Sequence, residues 1–135
     1  MTQNGGAINI KAQEVTVKDS TFNSNKANVD GGAIFIDGIN TVIKNSLFLS
    51  NEAIPDVKKL EDGLGGAIYV NSNLAYINDN SFRFNTARNG SAIYYDKLGE
   101  KLTLQNNVFS QNQAWVYHLP IYAKDIYYED SEEIK

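Results

Sequence analysis

In 135 residues there is no cysteine, and only one histidine, one tryptophan, one methionine and two prolines. Without cysteine there can be neither a disulfide framework nor a thiolate metal site, and cysteine usage says nothing of the redox compartment. Basic charge is also short, with 12 Lys and Arg against 16 Asp and Glu and a net charge of -4. Such a chain lacks the basic stripe that a nucleic-acid binder needs, so no nucleic acid is expected as a partner. No apolar run approaches the roughly 20 residues of a membrane-spanning helix. The opening "MTQNGGAI" has neither the charged nor the apolar region of a secretion signal. It runs straight into a repeat, which is the expectation for a piece of something longer.

What the chain does have is repetition. "GGAI" stands at Gly5–Ile8, Gly31–Ile34 and Gly65–Ile68, and "GSAI" at Gly90–Ile93. A second motif, Phe-x-x-Asn-x-Ala, begins at Phe22, Phe48, Phe82 and Phe109. From the first Gly of each copy to the next Phe the distance is 17, 17, 17 and 19 residues. From Phe to Phe it is 26, 34 and 27. Two motifs that keep phase through four copies define one structural unit, with an insertion between the second and third.

Alignment on the motifs gives the unit its character. Ile8, Ile34, Ile68 and Ile93 are followed two residues on by Ile10, Ile36, Val70 and Tyr95. Val15, Thr41, Ala75 and Leu102 are followed in the same way by Val17, Ile43, Ile77 and Leu104. Spacing by two with β-branched residues is the strand period, and no window holds a helical one. Turn formers separate the pairs: "DGIN", "NSN" and "DKLGEK", then "KDS", "KNS" and "NDN". Each unit is therefore expected to hold three short strands and three turns. So little strand buries no core alone. Stacked as coils about 4.8 Å apart it makes a parallel β-helix, in which each residue's main neighbour is its counterpart one coil away. A propeller or a sandwich would need antiparallel blades or more varied strands.

The recurrent residues have structural readings in that frame. The glycines suit one sharp corner with positive φ, and "GSAI" suggests that the first of the pair matters more than the second. Phe22, Phe48, Phe82 and Phe109, with Ile8, Ile34, Ile68 and Ile93, are expected to stack in the core. Asn25, Asn51, Asn85 and Asn112 are read as a ladder of carboxamides rather than a ligand site. Phe and Asn lie three apart, so a bend must fall between them or the Asn must sit on the corner itself.

The paired, phased "GGAI" and "FxxN" motifs resemble those of the chlamydial polymorphic outer-membrane proteins. The resemblance runs from Gly5 to Ala114. It implies a right-handed β-helix, a pectin-lyase-like solenoid carried as an autotransporter passenger by adhesin-like proteins of the outer membrane. Similar repeats occur in large surface proteins of other bacteria and of protists. The implied location is the cell surface or extracellular space. The implied partners are the neighbouring coils of a longer chain, with a host or cell-surface protein or a glycan on the outside. The family's signal peptide and C-terminal membrane barrel have no counterpart in this sequence.

Residues suited to chemistry are thin on the ground. His118 lies among aromatics in "WVYHLPIYA", while Arg83 and Arg88 fall at an outward position and a turn. Asp19 and Asp79 share a column with Asn45 and Asn106, which suits a turn that either residue type serves. Asp30, Asp37 and Asp96 are at turns of different coils. No catalytic residue, cofactor site or metal site is assigned, and the expectation is a non-enzymatic scaffold or adhesin-like segment. The alternative is part of a polysaccharide lyase or hydrolase, which would need carboxylates converging on one groove.

Two features suit binding. If the flanking residues point inward, Asn9, Phe35, Tyr69 and Tyr94 face outward and set three rings in a stripe, unless the rings pack only on one another. The other is the insert Ile54–Leu64, for which a tolerated surface loop is the favoured reading over a functional one. One domain is expected over 1–128, with coils at about 5–30, 31–64, 65–89 and 90–117 and a degenerate fifth coil over 118–128. In that fifth coil "HLPIYA" takes the place of "GGAIYV", and residues 129–135 form an acidic tail. Neither end offers a convincing cap for the open strand edges.

Overall fold

The computed structural model describes residues 4–54, 63–95, 101–116, 119–121 and 126–128, and every regular element among them is a β-strand. The first coil carries β1 (Ile8–Lys18), β2 (Thr21–Asn23) and β3 (Lys26–Ala27). The second carries β4 (Ile34–Lys44), β5 (Leu47–Leu49) and β6 (Glu52–Ala53). The third carries β7 (Ile68–Asn71), β8 (Leu74–Asn78), β9 (Ser81–Arg83) and β10 (Thr86–Ala87). The fourth carries β11 (Ile93–Tyr95), β12 (Lys101–Gln105), β13 (Val108–Ser110) and β14 (Gln113–Val116). Two further strands follow, β15 (Leu119–Ile121) and β16 (Ile126–Tyr128).

Pairing between coils is parallel and keeps the register of the sequence motifs. Ile8, Ile34, Ile68 and Ile93 are successive partners. So are Phe22, Phe48, Phe82 and Phe109, and Ala27, Ala53, Ala87 and Ala114. The result is a parallel β-helix with three sheets. Sheet I holds β1, β4, β7, β8, β11, β12 and β16; sheet II holds β2, β5, β9 and β13; sheet III holds β3, β6, β10, β14 and β15.

The strands divide differently from the expected three per repeat. In the first two coils the predicted first and second strands are one strand of 11 residues. "DGIN" at Asp37–Asn40 is therefore not a turn. It stays extended because Asp37, Gly38 and Asn40 pair with Lys11, Ala12 and Glu14 of the coil below. The side-chain alternation does slip there: Ile34 and Ile36 face inward, and then Thr41 and Ile43 do. In the third coil the same place is a true break between β7 and β8.

Three columns of left-handed backbone make the corners. Asp19, Asn45, Asp79 and Asn106, at φ of 52°, 51°, 60° and 56°, turn the chain from sheet I to sheet II. Ser24, Ser50, Phe84 and Gln111, at 60°, 56°, 57° and 56°, turn it from sheet II to sheet III. This second bend lies between Phe and Asn of each FxxN motif and lets both side chains face the interior. The first Gly of each GGAI leads back to sheet I, with φ between 60° and 73°.

The second Gly is as demanding as the first, contrary to the reading of "GSAI". A Cβ at Gly32 would lie 2.0 Å from the Gly66 carbonyl oxygen, and one at Gly66 2.0 Å from that of Ser91. There the next coil's backbone occupies the space. Ser91 stands in the copy whose counterpart in the next coil lies outside the described residues. The Ala that follows is fully buried in coils two to four. At this corner the N–H groups of Ala33 and Ile34 both donate to the Ala67 carbonyl.

The core fills the space between the sheets with Ile34, Ile36, Ile43, Ile68, Val70, Ile77 and Ile93 and the stacked phenylalanines. Ring centroids of Phe22, Phe48, Phe82 and Phe109 are 4.9, 4.9 and 5.1 Å apart, with successive ring planes within 7° of parallel. Each such pair contributes about 0.5–1.5 kcal/mol beyond its buried area. Ile8 and Phe109 belong to the same columns but are half-buried.

The C-terminal end departs from the expected fifth coil. "HLPIYA" does not take the GGAI place: β15 pairs antiparallel with β14, Pro120 opposite Trp115. It is β16 that continues sheet I, with Ile126 opposite Ile93 and Tyr127 opposite Tyr94. Among the described residues the last strand of sheet III is thus an antiparallel one, and its Pro120 carries no N–H.

Candidate interaction surface

Sheet I positions the aromatic column. Phe35, Tyr69 and Tyr94 alternate with inward isoleucines and are register partners across β4, β7 and β11. Their rings stack with centroids 4.8 and 5.4 Å apart and planes within 8°. Phe35 and Tyr69 are half-buried. Tyr94 is only 5% exposed, so it does not belong to an open stripe. Sheet I continues past it through β16. Asn9, at the foot of the column, is exposed. Stacking at the strand spacing turns the ring faces toward one another, so what the column offers outward is ring edges.

A second outward group lies beside it and was not read from the sequence. Val42 and Tyr76 are partners across β4 and β8, as are Asn40 and Leu74. Tyr76 is 41% exposed, Leu74 37% and Ile39 45%. The signal was present: the residue between inward Thr41 and Ile43, or between Ala75 and Ile77, must face out by the same alternation that turns Phe35 outward.

The Asn column is not a ligand site in this geometry. Asn25 N–H and Nδ2 both donate to Asn51 Oδ1 at 3.0 Å. Asn51 Nδ2 donates to the Phe22 carbonyl and to Asn85 Oδ1, also at 3.0 Å. Asn85 repeats the pattern with the Phe48 carbonyl and Asn112. Both carboxamide hydrogens and the oxygen of Asn51 and of Asn85 are thus committed, which is what burial requires.

A second ladder at the other corner also went unread. Asn80 Nδ2 donates to the Ile43 carbonyl and to Asn107 Oδ1, while Ser46 N–H donates to Asn80 Oδ1. Two of its four positions are Ser20 and Ser46, which hid the column.

The same corner opens outward as a groove of about 660 Å³, walled by Thr21, Leu47, Ser81 and Val108 and floored by Ser46 and Asn80. Asp19 and Asp79 both line it, with Asn45 in the coil between. Two coils separate these carboxylates, or roughly 10 Å at the strand spacing. The other acids are spread out: Asp30 Oδ1 accepts from Leu64 N–H, and Asp37 Oδ1 from Asn71 Nδ2. Among the described residues no three His, Cys, Asp or Glu are grouped to hold a metal ion. Arg83 is exposed on sheet II, and Arg88 is half-buried. His118, Asp96 and the tail 129–135 lie outside the described residues.

The insert is shorter than its expected bounds. Leu64 bridges Asp30 and Asn89 as part of the coil. Gly63 N–H donates to the Val29 carbonyl, and the Gly63 carbonyl accepts from Arg88 N–H. Residues 55–62 lie outside those described.

Comparison with known proteins gives one family: the family model described as "Right handed beta helix region" matches residues 1–132. No curated protein and no solved structure matches the chain.

Proposed function

Because the chain belongs to the right-handed β-helix family, we propose that it serves as a non-enzymatic scaffold segment, adhesin-like, that presents its outer face at a cell surface. The observation that carries this reading is the outward side of sheet I. A stacked aromatic column there adjoins exposed Ile39, Leu74 and Tyr76 on a backbone whose register is locked coil by coil. Exposed apolar surface held on a rigid sheet favours a macromolecular partner, a surface protein or a glycan. The resemblance of the phased GGAI and FxxN motifs to polymorphic outer-membrane proteins points to the same role and to an autotransporter passenger.

Beads coated with the chain, applied to cultured animal cells and to immobilised glycans, test the reading. Saturable binding is expected, weakened at least several-fold by Tyr76→Ser, an exposed position whose change leaves the fold intact. Binding equal in wild type and Tyr76→Ser, or none, overturns it.

A second reading has one observation in its favour: Asp19 and Asp79 share a groove. Two carboxylates at roughly this separation can act on a glycosidic bond through an intervening water. Release of reducing ends from a soluble polysaccharide, lost in Asp79→Asn, would establish it.

A further inference from the structure

One corner residue departs from the chemistry of all the others. Among the described residues eight non-glycine residues take left-handed backbone, and seven of them are Asp, Asn, Ser or Gln. The eighth is Phe84, at φ of 57°, in the column that holds Ser24, Ser50 and Gln111. Asn and Asp bear this conformation at small cost, whereas a bulky residue is an outlier there. The coils on either side hold it in place. Phe84 N–H donates to the Ser110 carbonyl at 3.1 Å, and Ser50 N–H donates to the Arg83 carbonyl at 2.9 Å. Burial does not offset the strain, since Phe84 is 52% exposed, more than Tyr76 at 41%. Strain held at an exposed residue by the surrounding fold is a mark of function.

The surroundings of Phe84 say what it suits. The rings of Phe35, Tyr69 and Tyr94 turn their faces to one another, as do those of the core phenylalanines. Phe84 has Ser50 and Gln111 as its counterparts one coil away, so no ring of its own column covers it. Arg83 stands beside it, outward on β9 and exposed, with Leu49 and Ser110 as register partners. Every other outward position of sheet II is uncharged. Among the described residues Arg83 makes no ion pair; Lys26 and Glu52 pair with each other on sheet III. The patch is thus one guanidinium and one uncovered ring, with Leu49 on one side and the polar groups of Ser50, Ser110 and Gln111 around them. Two residues wide and three coils tall, it measures roughly 7 by 10 Å. That is the footprint of a sugar ring; a protein interface takes about 800 Å² per partner and several anchors. Charge decides which sugar. A polyanionic chain needs cations at intervals, and along this face it would meet Asp79 and Asp19 at the neighbouring corner. A single carboxylate matches a single guanidinium in a bidentate pair. A terminal sialic acid carries that one carboxylate, an N-acetyl methyl group suited to a ring face, and hydroxyls suited to serine and glutamine.

We propose that Arg83 and Phe84 form a binding site for a terminal sialic acid, with Arg83 on the carboxylate and the Phe84 ring on the N-acetyl methyl group. The site lies on sheet II and does not depend on binding by sheet I. Saturation-transfer NMR on the 135-residue chain, with sialyllactose, lactose and a heparin oligosaccharide as probes, tests it. Sialyllactose is expected to bind at least about tenfold more tightly than lactose. Arg83→Gln and Phe84→Asn are each expected to abolish that preference, Phe84→Tyr to keep it, and Tyr76→Ser on sheet I to leave it unchanged. Asparagine suits the left-handed corner, so Phe84→Asn is also expected to raise the melting temperature by a few degrees, read by circular dichroism. No sialyllactose binding, lactose bound equally well, or a preference that survives Arg83→Gln or Phe84→Asn overturns the site. Tighter binding of the heparin oligosaccharide overturns it in favour of a general polyanion surface. A melting temperature that does not rise in Phe84→Asn overturns the argument from strain. If Tyr76→Ser alone removes the preference, the sugar sits on sheet I, and this proposal fails while the reading of that surface stands.

Discussion

At the corner after sheet II the interior polar column is Asn25, Asn51, Asn85 and Asn112; at the corner before it, the column is Ser20, Ser46, Asn80 and Asn107. Both follow a left-handed residue, and both are turned inward by it. The difference is reach. An asparagine spans three coils, as Asn51 does from the Phe22 carbonyl below to Asn85 above. A serine does not: Ser46 Oγ donates to the Lys44 carbonyl two residues back in its own coil and accepts only from Ser20 N–H. One corner is therefore tied carboxamide to carboxamide through all four coils. At the other that link joins only Asn80 to Asn107. The lower coils there are held by the single bonds that Ser20 N–H and Ser46 N–H donate upward and by Asn80 Nδ2 to the Ile43 carbonyl. Interior polar groups specify register here in a way that the phenylalanine stack does not, since a ring can slide over its neighbour at little cost while a carboxamide cannot.

The largest effect is expected where the continuous ladder is cut in the middle. Asn51→Ala orphans the Asn25 N–H, part of its carboxamide and the Phe22 carbonyl, so a loss of about 3–5 kcal/mol, or about 10–20 °C in melting temperature, follows. Asn71→Ala removes one long contact on the outer face, Nδ2 to Asp37 Oδ1 at 3.4 Å, and is expected to cost less than about 0.5 kcal/mol. Equal melting temperatures for the two variants would remove the ladder from the account of stability.

The same contrast explains what could be read from the sequence. The four asparagines of the first corner repeat without exception, and with three GGAI motifs and one GSAI in phase they specify coil length, register and core. The second ladder stayed hidden because a column that is serine in two coils and asparagine in the next two looks like an ordinary turn. The continuity of β1 and β4 was hidden for a related reason. Asp37, Gly38 and Asn40 are turn formers by local preference, and only their pairing with the coil below keeps them extended. At the C-terminus the difficulty was ambiguity, since Ile121–Tyr122 and Ile126–Tyr127 offer the same pattern five residues apart. Tertiary pairing chose the second. The outward surface was legible in part: alternation identified Phe35 and Tyr69, but whether an outward ring is covered depends on the next coil, and Tyr94 is covered.

An intermediate effect is expected from exchanging the two solutions. Asn80→Ser removes the donors to the Ile43 carbonyl and to Asn107 Oδ1, and should cost about 1–2 kcal/mol in a urea melt. The reverse exchange, Ser46→Asn, lengthens the second ladder by one coil, because the Val17 carbonyl stands to Ser46 as the Ile43 carbonyl stands to Asn80. A gain of about 0.5–1 kcal/mol is the expected outcome. If Ser46→Asn destabilises instead, the second corner lacks room for a continuous ladder, and its serines are a packing requirement.

The smallest effect concerns the outward residue at that corner. Asp79 occupies a left-handed position at φ of 60°, where asparagine is at least as well suited, and Asn45 and Asn106 hold the same place in the coils on either side. Its carboxylate is exposed, and the nearest acid of its own column, Asp19, is two coils distant, so removing the charge relieves little repulsion. Asp79→Asn should leave the urea midpoint within the equivalent of about 0.5 kcal/mol, on the stabilising side if it moves at all. The corner is then interchangeable as structure, and any activity that the substitution abolished would belong to the carboxylate itself. A destabilisation beyond about 1 kcal/mol would mean that the acid holds a structural bond that asparagine cannot make, and the equivalence of the four corner residues would fail at Asp79.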